Sequence, residues 1–179
     1  MKDTGIIRRL DDLGRIVIPK GIRKSIKLKA GDPVEFYTEN GELIIKKYSP
    51  IEKNCEFSLS VLNAISYALE KQCFITDAKK VVCATEKYKE FEDKNLSEDF
   101  ISILNEKKSV VIKKGDNNAN IQIINGQTIQ SDYKFIMPII KEGQVFGAII
   151  ILDNSPTEIE QTLFLKTAKI CASILSEQF

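Results

Sequence analysis

Hydrophobic and polar positions alternate with different periods in the two parts of the chain. Two short apolar runs, Gly5-Ile6-Ile7-Arg8-Arg9-Leu10 and Arg15-Ile16-Val17-Ile18, flank Asp11-Asp12-Leu13-Gly14. Aspartates close tight turns through their own backbone, and glycine takes a positive φ without steric cost, so the runs are expected to be short strands meeting at a turn. Pro19 suits the first position of a helix in which Ile22 and Ile26 share an inner face, with Arg23, Lys24 and Lys27 opposite. Ala30-Gly31-Asp32-Pro33 stops that helix, and residues 34–38 and 43–46 around Glu39-Asn40-Gly41-Glu42 carry a hairpin signal. The expected order is strand, strand, helix, strand, strand.

Tyr48-Ser49-Pro50-Ile51 ends the fourth strand, because proline cannot continue a ladder. This sets a boundary near residue 52 and two domains, 1–52 and 53–179. Phe57, Val61, Leu62, Ile65, Ala68 and Leu69 then recur at helical spacing over residues 55–71. Strands are expected at 73–77 and 81–84. Ser97 is placed to cap a helix through residue 107, with Glu98 and Asp99 set favourably against its dipole. Further strands are expected at 109–112 and 121–124 around the polar loop 113–120, followed by a hairpin over 135–140 and 145–151. Ser155-Pro156-Thr157-Glu158 reads as a capping box opening a last helix to about Glu177. Gly143 and Gly147 fit turn geometry and close packing better than phosphate cradling, because neither opens a helix. The fold class is α+β.

Size and charge sharpen this picture. Fifty residues with about a dozen large apolar side chains are too few to fold comfortably alone, and no disulfide or metal framework is available, so an obligate dimer is expected. The last helix carries Ile159, Leu163, Ile170 and Ile174 beside Phe164, Ala168, Cys171 and Leu175, a face wider than one sheet contact needs. That helix and residues 55–71 are expected to bundle with counterparts in another chain, with a tetramer as one outcome. The net charge is +1, but residues 1–50 hold 11 Lys+Arg against 7 Asp+Glu and the remainder 15 against 18. A positive end of this kind points to a polyanion partner.

The chain has no histidine, which removes Ser-His and Cys-His nucleophiles and HExxH metal sites. Cys55, Cys73, Cys83 and Cys171 form no CxxC pair and read as reduced thiols filling core space. No apolar run approaches the roughly 18 residues of a membrane span, and no apolar signal segment opens the chain, so a cytoplasmic location without membrane association is expected.

The run from Thr4 through Pro19, continued by Ile22-Arg23-Lys24 and reaching Lys46-Lys47-Tyr48-Ser49-Pro50, closely resembles the N-terminal DNA-binding domain of the AbrB family of bacterial transition-state regulators. The resemblance implies a swapped-hairpin β-barrel formed by a dimer, with double-stranded DNA as partner. By position, Arg8, Arg9, Arg15, Arg23 and Lys24 match the family's DNA-contacting residues. Lys24 stands where arginine is commoner, and lysine makes no bidentate contact. Such a face grips phosphates and reads DNA shape, and no groove-reading helix is evident.

The order of elements in the second half resembles a GAF domain, a sensory module, with an antiparallel sheet flanked by helices. Such modules often bind a small molecule against one face of the sheet, under inserted loops. An unidentified effector is therefore one expectation, with no cofactor otherwise and no specific ligand readable. The two modules together imply a ligand-modulated regulator, not an enzyme, and the whole chain resembles a family of sporulation regulators, which implies activation and repression of late forespore genes in a spore-forming bacterium. Two alternatives compete: a GAF-type methionine sulfoxide reductase using Cys73 or Cys83 as thiolate, and an antitoxin, several of which use a similar barrel. A thiol enzyme needs a lowered thiol pKa, whereas both cysteines alternate within apolar strands. Antitoxins carry short disordered tails, whereas this second half has a core of its own.

Overall fold

The computed structural model describes residues 4–26, 28–116 and 118–179. Lys27, expected on the outer helix face, and Asn117 of the 113–120 loop lie outside the described residues. The chain divides between Tyr48 and Ser49 into two compact units. Among the described residues no helix is long and apolar enough to cross a membrane.

In the first unit the expected turn is present. Asp11 N–H donates to Arg15 O at 3.0 Å, Gly14 N–H donates to Asp11 O at 2.9 Å, and Gly14 takes φ +71°. The flanking runs, however, are not strands. A ladder needs a neighbour for its backbone groups, and among the described residues nothing continues the pairing beyond Asp11 and Arg15. Helix α1 (Lys20–Ser25) follows, then a hairpin of β1 (Val34–Glu39) and β2 (Glu42–Lys47) in register from Val34 opposite Lys47 to Glu39 opposite Glu42. Asn40 and Gly41 at its tip both have positive φ, +50° and +80°, the conformation of the two-residue turn that matches strand twist.

This unit leaves much of its apolar surface bare. Ile7 is 87% exposed and Val17 76%, and Leu10, Leu13, Phe36 and Leu43 are also exposed. Burying apolar area contributes about 25 cal/mol per Å², so a face of this kind gains by being covered.

The second unit is a five-stranded antiparallel sheet covered on both sides. Helices α2 (Pro50–Lys53) and α3 (Cys55–Leu69) lead into β3 (Gln72–Asp77) and β4 (Val81–Ala84), and a 3-10 turn (Glu86–Phe91) precedes α4 (Glu98–Asn105). Strands β5 (Val110–Lys113), β6 (Tyr133–Lys141) and β7 (Gln144–Asp153) and helix α5 (Glu158–Glu177) complete the unit. The strand order is β4-β3-β7-β6-β5. Successive strand side chains point to opposite faces, and the core divides accordingly. Cys73, Ile75, Phe135, Ile149 and Ile151 pack under α3 and α5 with Leu62, Ile65 and Phe164. Phe74, Ile136 and Ile150 pack on the other side with Tyr88, Phe100, Leu104 and Ile124. With both faces covered, β6 and β7 read as continuous apolar runs.

Two local expectations are corrected. Residues 121–124 are not a strand, and Ile124 makes only isolated bridges to Leu96 and Gln127. Ile123 and Ile124 are both buried, so the backbone there tucks two adjacent side chains into one cluster, which a pleated strand cannot do. The last helix is capped by Thr157, not Ser155: Thr157 Oγ1 accepts from Glu160 N–H at 3.3 Å while Thr157 N–H donates to the Glu160 carboxylate at 2.8 Å. Gly147 serves close approach as expected, because a Cβ there would lie 1.9 Å from Thr76 O and 2.7 Å from Ile51 Cδ1.

Candidate nucleic-acid interface

The turn at Asp11 is built by a single carboxylate acting twice. Its Oδ1 accepts from the backbone N–H groups of Leu13 at 3.0 Å and Arg15 at 2.7 Å, and its Oδ2 accepts from Arg15 Nε at 2.7 Å. The Arg15 backbone N–H, and then its guanidinium, hold the Asp11 carboxyl below its usual range. Arg15 is thereby fixed by its Nε, and its two Nη nitrogens have no partner among the described residues.

The other candidate cations sit on the same unit. Arg8 and Arg9 lie exposed on the run entering the turn, and Arg8 Nη1 donates to Ile7 O at 3.3 Å. Arg23 and Lys24 lie exposed in the last turn of α1, where positive charge also suits the helix dipole. Arg9, Arg23 and Lys24 have no acidic partner among the described residues. All five are thus surface cations on one unit, and among the described residues only Arg15 is held by a carboxylate. Sequence reading identified Arg15 but missed Asp11 as its holder, although the four-residue spacing across an aspartate turn was visible.

The thiols behave as core groups. Cys73 and Cys83 are buried, and burial pushes each up to about 12. The Cys73 Sγ donates weakly to Leu62 O at 3.7 Å. A thiolate nucleophile requires the opposite shift, so the reductase alternative has no activated group at either position. Cys171 is raised by burial as well, and Cys55 is exposed.

On the α4 side of the sheet, where a sensory ligand was expected, Phe74, Tyr88, Phe100, Ile124 and Ile136 are buried against one another. One charged residue interrupts them. Lys134 of β6, between Ile112 of β5 and Leu152 of β7, is 7% exposed, and burial lowers its pKa below the ordinary value.

Comparison with known proteins agrees with this division. A family model described as stage V sporulation protein T C-terminal, transcription factor, matches residues 55–179. A second, antidote-toxin recognition MazE, bacterial antitoxin, matches residues 7–53. Stage V sporulation protein T of Bacillus subtilis (strain 168) is 32% identical over 182 residues, covering 99% of this chain and 98% of that protein. The transition state regulatory protein AbrB of the same organism is 44% identical over 50 residues, covering 28% of this chain and 52% of its own. Among solved structures, the GAF domain of an Acinetobacter phosphoenolpyruvate-protein phosphotransferase superposes with a TM-score of 0.51 at 11% identity, covering 65% of this chain and 76% of that one. At that identity the likeness is one of fold, and it makes the sheet GAF-like.

Proposed function

Since the chain belongs to the stage V sporulation protein T family, we propose that it is a transcription regulator that binds promoter DNA of sporulation genes through residues 1–52 and is modulated through residues 53–179. The observation that carries the DNA-binding reading is the set Arg8, Arg9, Arg15, Arg23 and Lys24, exposed on a unit where, among the described residues, Arg15 alone of the five is held by a carboxylate. Cations presented to solvent in this way release counterions from DNA on binding, which gives affinity a steep dependence on salt. Phosphate contacts then set register, and sequence preference comes in part from DNA shape.

The working unit is a dimer. Two copies that exchange hairpins supply the missing strand partners for residues 5–10 and 15–18 and cover Ile7, Val17, Phe36 and Leu43. They also double the cations along one face. The exposed stripe Ile159, Leu163, Ile170 and Ile174 on α5 supports a second association, up to a tetramer. Regulation then acts through the spacing of the DNA-binding faces, which an effector shifts only by its differential affinity for two arrangements. The place of action is the cytoplasm of the forespore, and both activation and repression follow from where the dimer sits on a promoter. The antitoxin match stops at residue 53, and the two-sided core of the second unit favours the regulator.

Gel shifts of promoter DNA test this reading, using the full chain and an Arg15→Ala, Arg23→Ala double variant at moderate salt. The variant should lose most of its affinity. Equal affinity in the two proteins would remove the assignment.

A further inference from the structure

A groove of about 370 Å³ lies between the C-terminal half of α5 and the edge of the sheet, a size within the range of small-molecule sites. Its cause is the early end of a ladder. The β5–β6 pairing runs from Lys113 opposite Tyr133 to Val110 opposite Ile136, so past Ile136 the outer edge of β6 has no neighbouring strand among the described residues. Pro138, which lacks an N–H, sits on this edge, where a proline costs no ladder bond on the open side. Met137 and Ile140 of β6 and Ala172 of α5 supply apolar lining.

The rest of the lining has a different character. Lys107 follows α4 and Lys169 belongs to α5, and Ser109, just before β5, and Ser173 of α5 also line the groove. Among the described residues no acidic side chain lines the groove, and neither lysine has an acidic partner. Two unpaired ammonium groups and hydroxyl donors beside an apolar floor suit an anion carried on an apolar body. Because Met137 belongs to the core under α5, the groove lies on the opposite side of the sheet from Tyr88, Phe100 and Ile124.

We propose that this groove is a binding site for a small organic anion, whose charged group is held by Lys107 and Lys169 and whose compact apolar part rests on Met137, Ile140 and Ala172. Ser173 and Ala172 lie on the same helix as the exposed stripe Ile170 and Ile174, so occupancy bears directly on the helix used for association. That regulatory consequence rests on the function proposed above; the site itself does not.

The test is a titration of the full-length protein with hexanoate, hexanol and inorganic phosphate, followed by amide chemical shifts. Hexanoate should shift the signals of Lys107, Ser109, Ala172 and Ser173, while hexanol and phosphate leave them in place. A Lys107→Gln, Lys169→Gln double variant, altered only at exposed positions, should bind hexanoate about tenfold more weakly, the loss expected for charge-assisted hydrogen bonds. The proposal is overturned if hexanol or phosphate matches hexanoate, if the double variant keeps its affinity, or if the shifts appear at Phe100 and Ile124. Gel shifts on the same samples separate the two readings. Lost promoter binding with intact hexanoate binding tells against the proposed function alone, and the reverse against the groove alone.

Discussion

Arg15 donates its Nε to Asp11 Oδ2 at 2.7 Å, so the carboxylate that closes the turn also aims the guanidinium. A lysine at this position keeps the charge but has one nitrogen for two tasks. It either pairs with Asp11 or reaches a phosphate. Arg15→Lys should therefore weaken promoter binding about tenfold at moderate salt while leaving the slope of log affinity against log salt unchanged. Arg15→Ala should lower affinity and also flatten that slope by about 1 for each phosphate no longer neutralised. Fluorescence anisotropy over a salt series distinguishes the two, and a lysine variant indistinguishable from wild type would show that the Nη fork is not used.

Val17 is 76% exposed within one chain, and the meaning of that number depends on the partner. A charge placed on a true surface changes stability by no more than about 0.5 kcal/mol, whereas a charge placed under a partner's apolar face costs several times more. Val17→Asp should accordingly give lower-mass species in sedimentation velocity and abolish the gel shift. An unchanged sedimentation profile would mean that Val17 faces water and that the exchanged-hairpin dimer is the wrong arrangement.

Gly147 holds two elements at contact distance. A methyl group added there meets the Thr76 carbonyl of β3 at 1.9 Å and Ile51 of α2 at 2.7 Å, and Ile51 is fully buried. Backbone cannot yield as a side-chain tip can, so overpacking here falls at the upper end of its usual range. Gly147→Ala should destabilise the second unit by about 3 kcal/mol. The shift in the urea midpoint, read by far-UV circular dichroism at fixed protein concentration, measures it. A shift equivalent to less than about 1 kcal/mol would show that β7 can move away from β3.

What the sequence disclosed depended on how local each cause was. The hairpin at Asn40-Gly41, the turn at Glu142-Gly143 and the Ser97 cap are each fixed by residues within four positions, and all three were legible. The strands expected at 5–10 and 15–18 were not realised, because among the described residues no segment pairs with them beyond the turn. Residues 121–124 misled for another reason: the isoleucines satisfy a β-propensity count, yet Ile123 and Ile124 enter the same cluster, whereas neighbours in a strand point to opposite faces. The cations of the candidate interface were legible by type and position. The Asp11 grip on Arg15 needed the folded turn, and Lys134 stood in a strand whose other residues gave no sign that its charge would be buried.

Lys134 offers the pH-dependent prediction. Burial disfavours its ammonium form, so its pKa in the fold lies below the ordinary 10.5, and the Asp132 charge opposes this only in part. For a lysine lowered in this way, the folded state binds fewer protons than the unfolded one as pH rises toward 10.5. The cost of holding the ammonium in the fold is therefore fully present below that lowered value. It is relieved between the lowered value and 10.5, so stability gains with pH across that window. Lys134→Met keeps the unbranched apolar stem of the side chain out to the Cε position and removes the charge. It should be more stable than wild type by about 1 kcal/mol at neutral pH, with the advantage shrinking toward alkaline pH. Urea midpoints of both proteins at a series of pH values from neutral to about 10, the range set by the ordinary lysine value, provide the measurement. A gap that stays constant with pH would mean that Met packs better for reasons of shape, and that the ammonium reaches water freely.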